Sequence, residues 1–171
     1  MKKIFLLAII AICARPSAMA QNWALVDMEY ILKNIPAYES AMQQIEQSSK
    51  KWEKEISALN TEIQTLYKNY QSEMVLLSDE QKKERAQEIL DKETEVKELK
   101  RKYFGNDGEL YKKRESLMAP IQDEIYNAVK EICEAKGYSA VVARASAVSI
   151  IYASPKIDIS NEVLAKLGYS N

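Results

Sequence analysis

The side chains that usually carry out chemistry are scarce in this chain or poorly placed. Histidine is absent from the 171 residues, which removes the commonest general base and the commonest metal ligand. Thiols occur only at Cys13 and Cys133. Cys133 lies among Val129, Ile132 and Ala135 and reads as a small core residue, since a reactive thiol needs an electropositive, partly open setting. There is no Gly-rich phosphate loop and no paired-Cys zinc spacing. The carboxylates sit among lysines on helix faces, where solvated ion pairs are expected rather than an acid–base pair. No catalytic centre, metal site or cofactor is therefore expected. The chemistry left is non-covalent contact, and the elements that would present it are unusually long.

Two stretches read as helix, back to back, with a break near Ser78. The first carries Tyr38, Met42, Ile45, Ser49, Trp52, Ile56, Leu59, Ile63, Leu66 and Tyr70 at alternating spacings of four and three. That is a heptad seam with one polar slip. The spacing predicts a helix from about Ala37 to Leu77, roughly 60 Å at 1.5 Å per residue. Ser78 reads as the next N-cap, with Asp79 and Glu80 in the first turn and Gln81 at the box position. The return helix is expected to run from Asp79 to Lys136, stopped by Gly137. Ile89, Val96, Tyr103, Leu110 and Leu117 recur every seven residues along it. The alternate core positions hold Glu93, Lys100, Asp107 and Arg114, so this seam is only half apolar. Gly105-Asn106-Asp107-Gly108 interrupts the helix, but the register carries through, so a softened helix and mid-hairpin hinge at Gly105 and Gly108 is expected. It would sit where the seam is thinnest. An extended antiparallel hairpin of this kind suits a protein that reaches out, clamps or encloses.

The chain ends differ in character. Met1 to Ala20 reads as a secretory signal: Lys2 and Lys3, an apolar run from Ile4 to Ala14, then Ala18-Met19-Ala20. Cleavage is expected after Ala20, and the apolar run is too short to span a bilayer, which takes about 20 residues. This segment contains Lys2, Lys3 and Arg15 and no acid, so the remainder holds 21 basic against 25 acidic residues, net −4. Basic clusters such as Lys112-Lys113-Arg114 are flanked by acids, and a nucleic-acid surface is not expected.

Trp23 to Asp27 reads as a strand with both faces buried. Asp27 caps a short helical turn over Met28 to Lys33 that ends at Pro36. After Gly137 the period changes to two, predicting strands at Ser139–Ala143 and Val148–Tyr152. Ser160 is expected to cap a last short helix ended by Gly168. Residues 21–37 and 119–171 would form a small β-containing body, and 38–118 a hairpin with its tip near 75–80. The body is roughly 65 residues, near the limit for a single hydrophobic core. Its short apolar strands have no Pro or Lys to protect their edges. Association of bodies through Leu25, Val26, Val142, Ile150 and Tyr152 is expected. The fold class is mainly α with a small β part.

Three terminal pieces carry a family resemblance. They are Ala24-Leu25-Val26-Asp27-Met28 with Ile31-Leu32 and Pro36; Glu134-Ala135-Lys136-Gly137-Tyr138 with the apolar strand after it; and Tyr152-Ala153-Ser154-Pro155 leading into Ile157-Asp158-Ile159-Ser160-Asn161-Glu162-Val163-Leu164. In these and in the order of its parts, the chain resembles the Skp/OmpH family of periplasmic chaperones. The resemblance implies a homotrimer of jellyfish-like form, in which a small β body carries three helical hairpins around a central cavity. It implies a role in holding unfolded outer-membrane proteins without nucleotide until they insert. Tyr67, Leu76, Leu77 and Phe104, which lie off the seam or at the tip, are then the candidates for client contact, whereas Tyr70 and Tyr103 belong to the seam. Typical relatives are strongly basic and this chain is mildly acidic, so no lipid-binding residue is carried over and contact with a membrane surface stays open. A structural or adaptor role in the envelope, with the hairpins as docking rods, is the alternative.

Overall fold

The structure is a computed structural model, and it describes residues 22–144 and 150–169. Strand β1, Trp23–Val26, pairs in parallel with β2, Ala140–Ala143, in the register Trp23↔Ala140 to Val26↔Ala143. The other edge of β1 is also engaged: the Ile159 amide donates to the Leu25 carbonyl at 2.9 Å. Ala24, Leu25 and Val26 are all buried. Successive strand residues point to opposite faces, so both faces of β1 are covered. Asp27 then starts helix α1, Met28–Lys33, its carboxylate accepting from the Tyr30 amide at 3.0 Å.

Helix α2 spans Pro36–Glu73. Pro36 opens it, where a missing amide costs nothing and the fixed φ is already helical. The helix stops four residues before Leu77, and the Leu76 amide closes a turn onto the Glu73 carbonyl at 2.8 Å. Helix α3, Asp79–Phe104, begins with the reciprocal capping box expected of Ser78 and Gln81. The Gln81 amide donates to the Ser78 hydroxyl at 3.3 Å, and the Ser78 amide donates to the Gln81 side chain at 3.0 Å.

The return helix is not continuous. Gly105 takes φ −64°, ψ 169°, an extended conformation that ends α3. The Gly108 amide donates to the Gly105 carbonyl at 2.9 Å, and helix α4 starts anew over Glu109–Lys136. A true break thus replaces the expected softened helix. Nor is the seam thinnest there. Just before the break Ile56, Val96 and Tyr103 form a buried cluster, with Trp52, Leu59, Ile63 and Leu99 packed against it. Leu99, rather than Lys100, supplies the alternate apolar position. Helix α4 tolerates Pro120 in its interior, and Gly137 ends it at φ 71°, the left-handed stop that glycine adopts without a Cβ clash.

The C-terminal part corrects two further expectations. Val148 and Ser149 of the expected Val148–Tyr152 strand lie outside the described residues, and Ile150–Tyr152 is not strand. Ser160 is the first residue of helix α5, Ser160–Lys166, and not its N-cap, a position held by Ile159. Its hydroxyl accepts from the Asp27 amide at 2.8 Å and donates to the Asp158 carboxylate at 2.6 Å, tying α5 to the start of α1. Two ion pairs join α5 to the end of α4, Lys136–Glu162 and Lys166–Glu131, each at 2.6 Å. The described residues divide into two compact units: one formed by residues 22–31 together with those from Asn127 on, and one spanning Leu32–Tyr126.

Candidate functional site

The second unit holds the hairpin of α2 and α3, which run closely side by side. The outgoing seam is buried or half-buried at Tyr38, Ile45, Ser49, Trp52, Ile56, Leu59, Ile63, Leu66 and Tyr70, and exposed only at Met42. It meets Ile89, Val96 and Tyr103, all buried on α3. Lys92 reaches across from α3 to Glu62 at 3.3 Å.

An aromatic junction closes the α3 end of this contact. The Trp52 and Tyr103 rings stack with centroids 4.8 Å apart and planes within 7°. Phe104 meets both edge-on, at 6.3 Å and 6.5 Å. Stacked and edge-on geometries satisfy the ring quadrupoles and add to simple burial. The Tyr103 hydroxyl donates to the Glu55 carboxylate at 3.1 Å, and burial, then this carboxylate, raises the phenol's pKa above its ordinary value. The junction is therefore neutral at Tyr103 and firmly seated. Phe104 keeps 38% of its surface exposed. It lines an open groove of about 770 Å³ together with Ile56, Asn60, Gln64 and Arg101.

The tip is apolar and solvated. Val75 is 88% and Leu76 86% exposed, and Met74 is exposed beside them. Leu77 is half-buried. Tyr67, on α2 before the tip, is 51% exposed. The four client-contact candidates therefore lie in three separate places. Leu76 and Leu77 belong to the tip turn and Phe104 to the aromatic junction, about 40 Å away along α3 at 1.5 Å per residue. Val75 escaped notice in the sequence; its place in a run of four apolar residues before a capping serine was the available signal. Gly105 and Gly108 lie in the turn immediately beyond Phe104.

The interface candidates divide as well. Leu25 and Val26 are buried within the chain itself and have little surface left to give to a partner. Val142 is half-buried in β2. Ile150 and Tyr152 are exposed, and Ile151 between them is fully so. Among the described residues no cluster of Cys, Asp or Glu has the arrangement of a metal site, and no helix is long and apolar enough to cross a membrane.

Residues 22–167 match the family model described as outer membrane protein (OmpH-like). The chain belongs to the OmpH-like family. A curated relative, the chaperone protein Skp of Yersinia enterocolitica, is 24% identical over 160 residues, covering 92% of this chain and 93% of that one. A crystal structure from Caulobacter crescentus, described as an OmpH-like outer membrane chaperone, superposes with a TM-score of 0.69 at 12% identity. It covers 85% of this chain and 83% of that one. The superposition shows an OmpH-like fold, mainly α with long helices and a small sheet. All three terminal pieces singled out in the sequence fall inside the matched span.

Proposed function

We propose that this OmpH-like chain is an ATP-independent periplasmic holdase, which binds unfolded outer-membrane proteins and keeps them from aggregating before insertion. Family membership and the chaperone relatives support this. The observation that carries it is the hairpin itself, a two-helix arm that delivers Met74, Val75 and Leu76 to solvent at its tip and leaves Phe104 open midway. A holdase needs apolar contacts that are individually weak. Each fully buried side chain of this kind contributes about 1.5–3 kcal/mol, so a client held by a few of them exchanges readily. Flexible Met and amphipathic Tyr accept varied partners without fixing one geometry.

The exported form begins at Gln21, after cleavage behind Ala20. Residues 21–37 and 119–171 act as the body and 38–118 as the arm. The protein works as a homo-oligomer, a trimer by family resemblance, through the exposed Ile150–Tyr152 stretch and through Val142, with clients enclosed between arms. Gly105 and Gly108 form a joint that lets the enclosed space vary. The protein is not an enzyme and uses no cofactor. The test is light scattering of a denatured outer-membrane β-barrel protein diluted from urea, with and without the purified chain and without nucleotide. Aggregation is expected to fall as the chain approaches stoichiometric amounts. Undiminished scattering at excess chain would refute the holdase role.

A further inference from the structure

We propose that neighbouring arms of the oligomer close against one another, the acidic side of one α3 meeting the basic side of the next. This rests on the homo-oligomer reading and adds a contact surface between the arms themselves. Helix α3 is neutral as a whole, with eight acidic and eight basic residues. At about 100° per residue they fall unevenly on the two sides of the plane that holds α2 and α3. One side carries Glu80, Glu84, Glu88, Asp91, Glu95 and Glu98 against Arg85, Lys92 and Lys102. The other carries Lys82, Lys83, Lys97, Lys100 and Arg101 against Asp79 and Glu93. Contacts with α2 mark the two sides. Glu55 and Glu62 reach Tyr103 and Lys92 on the acidic side. Asn60 and Gln64 border the Phe104 groove with Lys100 and Arg101 on the basic side. From Lys51 on, α2 does not cancel the difference. It adds Glu55, Glu62 and Glu73 against Lys51 to the acidic side and Glu53 against Lys68 to the basic side, with Lys54 on the outer edge.

Only part of this charge is neutralised within the chain. Glu88 pairs with Arg85 at 3.4 Å, and Glu95 with Lys92 at 3.5 Å. Lys83, Glu84, Lys97 and Glu98 are exposed and, among the described residues, take part in no ion pair. A second copy is the occupant because the two sides complement each other at the same height. In a cyclic assembly equivalent residues lie level, and each subunit offers different patches to its two neighbours. Lys83 of one arm then stands nearly level with Glu84 of the next, and Lys97 with Glu98. A two-fold contact would set one side against itself, like charge against like, so a ring of arms is the arrangement the charge favours. Exposed pairs are individually weak and are screened within about 10 Å. Arms joined through one body meet at a local concentration in about the millimolar range, where such contacts form and release.

The test uses the full mature chain with Cys133→Ser and Thr94→Cys, nitroxide-labelled at the exposed position 94, and reads distances between copies by pulsed dipolar electron spin resonance. A helix is about 10–12 Å across, so touching arms are expected to give a population below about 30 Å at low salt. That population is expected to fall at least about threefold when salt is raised to about 0.5 M. The same fall is expected at low salt in Lys83→Glu/Lys97→Glu and in Glu84→Lys/Glu98→Lys, each of which sets like charges level. Combining all four substitutions leaves composition and net charge unchanged and restores opposite charges at both levels, so the short distances are expected to return. All four positions are exposed, and unchanged circular dichroism verifies the fold. Short distances indifferent to salt and to both double variants, their absence from the parent oligomer, or a combined variant as open as the doubles would overturn the inference. Sedimentation velocity separates this from failure of the homo-oligomer reading. A monomeric chain removes both, whereas an intact oligomer with salt-indifferent distances removes the arm contact alone.

Discussion

Gly105→Ala is the sharpest test of the helix break, because the sign of its effect depends on the break being real. In a helix interior, exchanging Gly for Ala stabilises by about 1 kcal/mol. At the observed backbone, however, a Cβ on residue 105 would stand 2.4 Å from the Arg101 carbonyl oxygen. Comfortable C···O contacts begin at roughly 3.3 Å, so the two must part by nearly 1 Å. The same oxygen accepts the Gly105 amide at 2.9 Å, and separation strains or breaks that bond. The lost bond costs about 1 kcal/mol and the local overpacking about 1–3 kcal/mol. Restricting the unfolded chain returns only about 0.4–1 kcal/mol. The net is a destabilisation of about 2 kcal/mol. Urea unfolding followed by Trp52 fluorescence, with Trp23→Phe as background, measures it directly. With a slope of about 2 kcal/mol per molar, the midpoint drops by about 1 M. A midpoint that rises would mean that α3 and α4 are one helix, and the geometry described for Gly105 would be wrong.

Three other outcomes are expected. Trp52→Ala removes the partner stacked on Tyr103 and destabilises the hairpin by about 2–4 kcal/mol, read from the midpoint of thermal unfolding by circular dichroism. The raised pKa of Tyr103 means that the folded state holds the phenolic proton more tightly than the unfolded chain does. Its contribution is complete below about pH 10, the unfolded value, and is lost as pH rises through the folded one. Urea midpoints measured from pH 8 to 11 should therefore fall more steeply for the parent than for Tyr103→Phe. Ile150→Asp is expected to dissociate the proposed oligomer, since an unpaired charge at an apolar contact is costly; sedimentation velocity showing an unchanged assembly would exclude Ile150 from the interface.

Features decided by neighbours in sequence were legible. The Asp27 and Ser78 caps, the Gly137 stop and the α2 seam each depend on residues within a few turns, and each lies where its spacing placed it. Gly105–Gly108 misled because the seven-residue interval from Tyr103 to Leu110 survives even though the backbone between them leaves the helix. Periodicity counts residues and does not sense φ or ψ. Ser160 has the composition of a cap, but its hydroxyl serves the Asp27 amide 133 residues away, a relation that no local pattern carries. Ile150–Tyr152 has strand propensity, yet propensity supplies no partner edge. The functional candidates were legible by type and not by grouping: Phe104 and Leu76 were both singled out, but their separation along α3 follows from the fold alone.

The parallel pairing of β1 with β2 has a consequence for the molecule's own birth. Residues 27–139 all lie between the two strands. Closing so long a segment carries an entropic cost, whereas α2 and α3 meet across a turn of a few residues. A chain emerging N-terminus first therefore completes its arm while Ala24, Leu25 and Val26 wait unpaired for a strand that arrives near the end. During that interval the chain carries an exposed apolar strand of its own, and until β2 is delivered it has the same need for protection as the proteins it is proposed to hold.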